Sequence, residues 1–318
     1  MLLQEQMSKE ESEEGRMKAV RFKPKPDDVF LVTPPKAARS IATSISTVGL
    51  PQIVHSLRTR GDMNFEEINL VIPCIEAAHD YGYTNLDAPQ VAPPRMFKTH
   101  FWYRDTPKGA GKYIYVTRDP LDVGPSFYYF LGSGWYFEND EISMDQFLEE
   151  FWLQRGEAPT PMHNASHWHN VASWKDPNVL WIHYEDLHED LPACVKLLAD
   201  FLQIGHDDPE LQQLAVEQAS IEHMRKHPTK YDEHMLKLHT NERCGRRRDA
   251  GLDPHNSGKV RHGKVGKNKG ELSPQMREAI LQKWRDIMLP ATGFESYGEM
   301  RASVNRELGR QFKSSQQS

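Results

Sequence analysis

The chain has 318 residues, 38% apolar and 10% aromatic, enough to bury the core of one large folded domain. A formal net charge of -6 gives no general attraction for nucleic acid or an anionic membrane, so any anionic ligand must be held by locally placed cations. Three cysteines, Cys74, Cys194 and Cys244, exclude by number a disulfide framework and a four-thiolate zinc site, and reduced, mostly buried thiols are expected.

Residues 1–26 read as a mobile acidic tail without the apolar segment of a signal or organellar targeting sequence. Residues 29–33 are a short apolar strand, followed at once by Pro34, Pro35 and Lys36. Apolar and acidic residues alternate at helical spacing over 64–79, with Pro73 as a start, kink or end. Strands are predicted over 95–100 and 113–116, and helices over 120–131 and 144–154. A helix over 163–174 leads into a strand over 179–183, which ends in Tyr184, Glu185 and Asp186. Further helices are predicted over 191–202 and 209–224. The basic, glycine-rich stretch 243–270 lacks periodicity and has the length of an active-site lid. Ser273 at the N-cap and Pro274 at the first turn open a last helix running to about Met288. The polar stretch 301–318 closes the chain, leaving 27–300 as a single domain without internal repeat or linker. No apolar run is long enough to cross a bilayer, and a soluble, cytoplasmic protein is expected. Strands alternating with helices predict an α/β fold with a central parallel sheet flanked by helices.

The most informative stretch is 113–130. Arg118 stands just past a strand's end, and Ser126 follows on the next helix. Ligands of open α/β sheets bind at the carboxyl ends of strands, and arginine offers a donor fork matched to phosphate. The run Arg118-Asp119-Pro120-Leu121-Asp122-Val123-Gly124-Pro125-Ser126 resembles the 3′-phosphate-binding segment of the cytosolic sulfotransferase family. The resemblance extends from about Asp27 to Met288. It implies a P-loop NTPase-like sulfotransferase fold that binds 3′-phosphoadenosine 5′-phosphosulfate (PAPS) and moves its sulfuryl group to a hydroxyl or amine of a small-molecule acceptor. A sulfuryl group carries less charge than a phosphoryl group, so side-chain cations are expected to suffice without a metal.

The same resemblance assigns residues. Strand, proline and Lys36 match the family's 5′-phosphosulfate loop, which implies that Lys36 stabilises the leaving phosphate. The family's Gly-Thr-Thr-Trp does not follow Lys36, and the helix resembling the family's next element arrives late. Either Ala37, Ala38, Arg39 and Ser40 wrap the phosphate, or a bulge brings Ser46 and Thr47 to it; Gly49 stands where a stacking tryptophan is usual. His100 matches the general base, assisted by Lys98 on the same strand face, and an imidazole with pKa near 6.5 suits proton removal at neutral pH. Ser126 is expected to bind the 3′-phosphate and restrain Lys36. Tyr184 is expected on the adenine side of the cofactor. Arg261, His262 and Gly263 resemble the family's Arg-Lys-Gly motif around the 3′-phosphate, with His262 replacing lysine. The family's C-terminal dimerisation run is not evident, which leaves the oligomeric state open.

Two rival readings stand beside this one. The altered lysine loop suits a nucleotide-binding protein without turnover. A nucleotide kinase of the wider P-loop class would require Gly-Lys-Ser/Thr, which is missing. His163, His167 and His169 have a metal-like spacing on one helix, but no adjacent Cys or carboxylate completes a set, so a polar wall or surface is expected. Arg243, Arg246, Arg247 and Arg248 lack the interleaved aromatics of a nucleic-acid surface and fit a lid better. Trp102, Tyr103, Tyr128, Tyr129, Trp135 and Trp168 are candidates for an aromatic acceptor pocket or for the core.

Overall fold

The computed structural model describes residues 9–10, 12–33, 49–82, 85–132, 134–138, 140–154, 161–252 and 268–312. Four short strands, β1 (Val29–Val32), β2 (Met96–Thr99), β3 (Lys112–Thr117) and β4 (Val179–His183), form one parallel sheet in the order β2-β1-β3-β4. Val29 pairs with both Met96 and Lys112, and Tyr113 pairs with Val179. Apart from Lys112, every strand residue is buried. Both faces are therefore covered, as a parallel sheet requires.

The two-residue repeat divides the strands between two cores. Phe30, Val32, Phe97, Tyr115 and Trp181 face one side and pack with Phe127, Trp168, Ile280 and Trp284. These come from the helices Pro120–Leu131, Pro161–Asn170 and Pro274–Thr292. Leu31, Met96, Ile114, Val116 and Ile182 face the other side, against Ile53, Leu57, Leu198 and Ala215 of the helices Leu50–Thr59, Leu191–Leu202 and Pro209–Gln218. The connection from β1 leads to β2 on one side, and that from β3 leads to β4 on the other. This divergence opens a crevice at the carboxyl ends of β1 and β3.

Several sequence expectations are corrected. The acidic stretch 1–26 contains a helix, Glu13–Val20, capped by the Ser12 hydroxyl, which accepts from the Gly15 N–H at 2.9 Å. Glu10 is 2% exposed and pairs with Arg246 at 2.6 Å. Acidic composition reads as a tail when its basic partner lies far along the chain. The boundary at 300 falls inside another helix, Tyr297–Glu307, tied down by Arg301 on Asp186 and by the buried Val304. Within 64–79 only Ile68–Val71 is α-helical. Pro73 ends it, and the chain then follows β2: the Lys98 N–H donates to Pro73 O, and Ile75 N–H to Lys98 O. The predicted helix over 144–154 is Met144–Phe147 followed by the π-turn Leu148–Trp152. Ser220 splits the helix predicted over 209–224 by capping a new one, Ile221–Lys226. The helix His234–Arg243 reaches the start of the stretch read as a lid loop. Ser273 caps Pro274–Thr292 as expected, and that helix ends at Gly293, whose φ of 79° favours glycine. Among the described residues, no helix is long and apolar enough to cross a membrane.

Candidate active site

β3 ends at Thr117, and Asp119 caps the following helix by accepting from the Leu121 N–H at 2.9 Å. With Pro120 preset for the first turn, the strand passes into the helix through two residues, which fixes Arg118 in the crevice. Arg118 is 3% exposed. Its Nη1 donates to Ser126 Oγ at 3.4 Å, and its Cζ lies 4.5 Å from the centroid of the Tyr184 ring. Tyr184 opens the helix Tyr184–Glu189 directly after β4, and its hydroxyl meets His188 Nε2. Burial, and then the nearby charge of Arg118, pushes the His188 pKa down to about 4, so that imidazole is neutral at pH 7. Arg118 is the cation of this cluster. Tyr184 is fully buried, and one face of its ring carries the guanidinium.

The turns bearing Arg118 and Tyr184 are joined behind the site. Glu185 accepts from the Asp119 N–H at 3.1 Å and from the Tyr297 hydroxyl. Burial raises its pKa to about 7. Thr117 Oγ1 lies 2.6 Å from His183 Nδ1, and burial lowers the His183 pKa to about 3, leaving that ring neutral. Asp186 accepts from Arg301 Nε at 2.7 Å and from Asn305 Nδ2 at 3.0 Å. The Tyr-Glu-Asp run thus has one residue in the site and two that lock helices to it.

The other half of the site forms at the ends of β1 and β2. The Thr33 N–H donates to Thr99 O at 3.0 Å, extending the pairing past β1. His100, 7% exposed, places Nδ1 3.1 Å from Thr33 Oγ1 and 3.2 Å from Thr33 O. A carbonyl only accepts, so this network assigns the proton to Nδ1 and the lone pair to Nε2. The His100 N–H donates to Glu76 Oε1. Lys98, two residues earlier on β2, has partners of its own. Its ammonium donates to Asn69 Oδ1 at 2.7 Å and lies 4.0 Å from Glu233 Oε1. Among the described residues these two are its side-chain partners.

Lys36, Ala37, Ala38, Arg39, Ser40, Ser46 and Thr47 lie outside the described residues, as do Arg261, His262 and Gly263. Of the remaining candidates, the structure brings Arg118, Ser126 and Tyr184 together and places His100 two strands away. Sequence reasoning missed Thr33, Glu76, Glu185 and Tyr297. A threonine closing an apolar strand beside the lysine loop was the one signal for Thr33. The contact between Glu185 and Tyr297 joins residues too distant in the chain for any local pattern.

His163 and His167 pack on Trp102, with ring centroids at 6.1 and 4.9 Å, and His169 stacks on Trp174 at 4.2 Å. Burial lowers the pKa of all three. Trp102, two residues past His100 in the chain, thus forms an aromatic wall with His163 and His167. Trp168 belongs to the core, stacked on Tyr115 at 4.7 Å. The Arg246 guanidinium lies over Tyr136 at 4.6 Å and pairs with Glu10, which removes it from any nucleic-acid surface.

A family model described as the sulfotransferase domain matches residues 26–290. Sulfotransferase 4A1 of Homo sapiens is 30% identical over 227 residues, which cover 63% of this chain and 68% of that protein. The amine sulfotransferase of Oryctolagus cuniculus is 28% identical over 276 residues, covering 84% and 82%. Among solved structures, the mouse sulfotransferase SULT7A1 complexed with PAP superposes with a TM-score of 0.64 at 19% identity, over 94% of this chain and 95% of that one. Retinol dehydratase in complex with androsterone and the inactive cofactor PAP gives 0.62 at 21% identity, over 90% and 88%.

Proposed function

Because the chain belongs to the sulfotransferase family, we propose that it moves the sulfuryl group of PAPS to a hydroxyl or amine of a small-molecule acceptor, with His100 as general base. The observation that carries this reading is the pairing of two prepared groups at the carboxyl ends of β2 and β3. One is a buried arginine beside a serine hydroxyl; the other is an imidazole whose tautomer is fixed by Thr33.

The donors present fit the nucleotide. Arg118 is a buried cation held over an aromatic face, and phosphate is the anion its fork suits. When bound, PAPS supplies the sulfuryl group on a phosphate leaving group. Arg118 and Ser126 hold its 3′-phosphate, together with Arg261, His262 and Gly263. Tyr184 supports Arg118 from beneath. His100 takes the acceptor's proton on Nε2, while the Thr33 carbonyl keeps Nδ1–H in place. Lys36, three residues past Thr33 in sequence, supplies the cation for charge growing on the leaving phosphate oxygen, with Ala37 to Ser40 around it. Lys98, whose ammonium donates to Asn69, lies on the strand face of His100 and assists at the same centre.

The amine sulfotransferase, and retinol dehydratase in its complexes with androsterone and with retinol, favour a small, largely apolar acceptor. The aromatic wall of Trp102, His163 and His167 suits such a molecule. Three cysteines, none of them in a disulfide among the described residues, suit a reducing compartment, and we place the reaction in the cytoplasm. Calorimetric titration with 3′-phosphoadenosine 5′-phosphate (PAP) in metal-free buffer tests the reading. Micromolar binding, about -8 kcal/mol, is expected; no heat from folded protein would overturn it.

A further inference from the structure

The segment following Ile68–Val71 runs alongside β2, through the Lys98–Pro73 and Ile75–Lys98 backbone hydrogen bonds. Cys74 pairs with Lys98 there, and a turn closed by the Ala77 N–H on Cys74 O at 3.2 Å follows, which keeps Cys74 and Glu76 on one side. That side meets His100: the candidate ligand atoms of Cys74, Glu76 and His100 all lie within 4.8 Å of one another. Glu76 is positioned by the backbone N–H of His100 itself. His100 Nδ1–H points at the Thr33 carbonyl, the outer-sphere bond that metal-binding histidines commonly use to orient their other nitrogen.

We propose that Cys74, Glu76 and His100 form an inhibitory site for a thiophilic divalent cation, for which Zn²⁺ is the best fit. A thiolate, a carboxylate and an imidazole are three of the donors Zn²⁺ takes, and water would complete a tetrahedron. Mg²⁺ and Ca²⁺ prefer all-oxygen cages and are poorly served by a thiolate. Bond lengths of about 2.0–2.3 Å give ligand-to-ligand edges of about 3.5 Å. Closing the site therefore requires movement of up to about 1.3 Å, within reach of a Cys74 side-chain rotation. Binding converts the Cys74 thiol to a thiolate and releases one proton. Thiolate and carboxylate together neutralise the cation, which makes a nearly buried site tolerable. The cation would take the Nε2 lone pair of His100, so an occupied site lacks its base. The inhibition rests on His100 being the base; the binding site does not.

Titration of the full chain with Co²⁺, followed by absorption, tests the site without any acceptor assay. The parent should develop thiolate-to-cobalt charge-transfer absorption and the intense visible bands of tetrahedral cobalt. Cys74→Ala and Cys74→Ser should lose the charge transfer while keeping the parent's near-ultraviolet circular dichroism. Cys244→Ala should retain it. Absence of the bands in the parent, or their loss in Cys244→Ala instead of Cys74→Ala, overturns the site whatever the protein transfers. For the inhibition, Zn²⁺ at ten times its Kd should lower turnover of the parent about tenfold and leave Cys74→Ala unaffected. PAP binding should not change in either. Full turnover by protein showing the cobalt bands overturns the inhibitory assignment.

Discussion

Arg118→Ala is the most direct probe of the nucleotide half of the site. Arg118 is 3% exposed, so bonds to a phosphate would form where water screens poorly. One charge-assisted hydrogen bond of this kind contributes about 1.5–3 kcal/mol. At 1.4 kcal/mol per decade, the Kd for PAP should rise about 10- to 150-fold. Arg118→Lys keeps the charge but loses the fork and the flat contact with Tyr184, and should fall between variant and parent. The assay is calorimetry in metal-free, low-salt buffer, repeated with adenosine 5′-phosphate, which lacks the 3′-phosphate. Parent and Arg118→Ala should bind that truncated nucleotide about equally. Unliganded stability should change less than PAP affinity. The lost contact with the Tyr184 ring costs about 1–2 kcal/mol, and removing a buried cation offsets part of it through relieved desolvation. A folded Arg118→Ala that bound PAP within about threefold of the parent would place the 3′-phosphate elsewhere and refute the reasoning.

Other perturbations separate the remaining parts. His100→Ala should lower turnover by about 10²–10⁴-fold, the usual span of general-base catalysis, with PAP affinity nearly unchanged; unchanged turnover would remove His100 from the mechanism. Thr33→Val keeps the carbonyl on Nδ1 and loses only the hydroxyl, so kcat should drop less than tenfold at constant KM for PAPS, read from initial rates. Glu185, with its folded pKa raised from 4.5 to about 7, holds its proton longer than the unfolded chain does. Its contribution is full below pH 4.5 and is lost as pH rises through 7. Denaturant melts of Glu185→Gln should therefore gain on the parent between pH 5 and pH 8; a constant difference would rule out the shifted titration. Glu10→Ala strands the buried Arg246 charge and should cost about 3 kcal/mol, read as a lower denaturant midpoint, whereas a truly mobile tail would show none.

What the sequence made legible follows from range. β3, β4 and the helices Pro120–Leu131 and Leu191–Leu202 were readable because burial on both faces leaves unbroken apolar runs and because Pro and Asp mark helix starts. Arg118 and Ser126 were readable for a related reason: strand, two-residue turn and helix fix their relation locally. The pocket around Lys98 was not. Alternation put it on the face of His100, but Asn69 and Glu233 capture its ammonium, and Glu233 comes from far down the chain. The tail reading of residues 1–26 failed in the same way, since Glu10, Arg243 and Arg246 meet across most of the sequence. Composition measures solvation, and a charge that finds a buried partner escapes it. Tyr184 lies between these cases: its place at a strand end was legible, but its load, the Arg118 guanidinium, was visible only in the fold.

Under the proposed function, strand order explains how a short stretch of sequence serves both ends of one ligand. His100 and Arg118 follow β2 and β3, which are consecutive in the chain but are not neighbours in the sheet. β1 lies between them, and two spacings of about 4.8 Å put their strand ends about 10 Å apart. In a sheet ordered as in the sequence, His100 and Arg118 would instead end adjacent strands, with less room between them for a nucleotide and an acceptor. The inserted strand supplies that room and more: its last pairing residue, Thr33, orients the imidazole, and the sequence that follows carries Lys36. Under the proposed reaction, the acceptor's proton leaves at β2 and the 3′-phosphate is held at β3. The lysine for the leaving group follows the strand between them, which is the order in which the reaction needs its three charges.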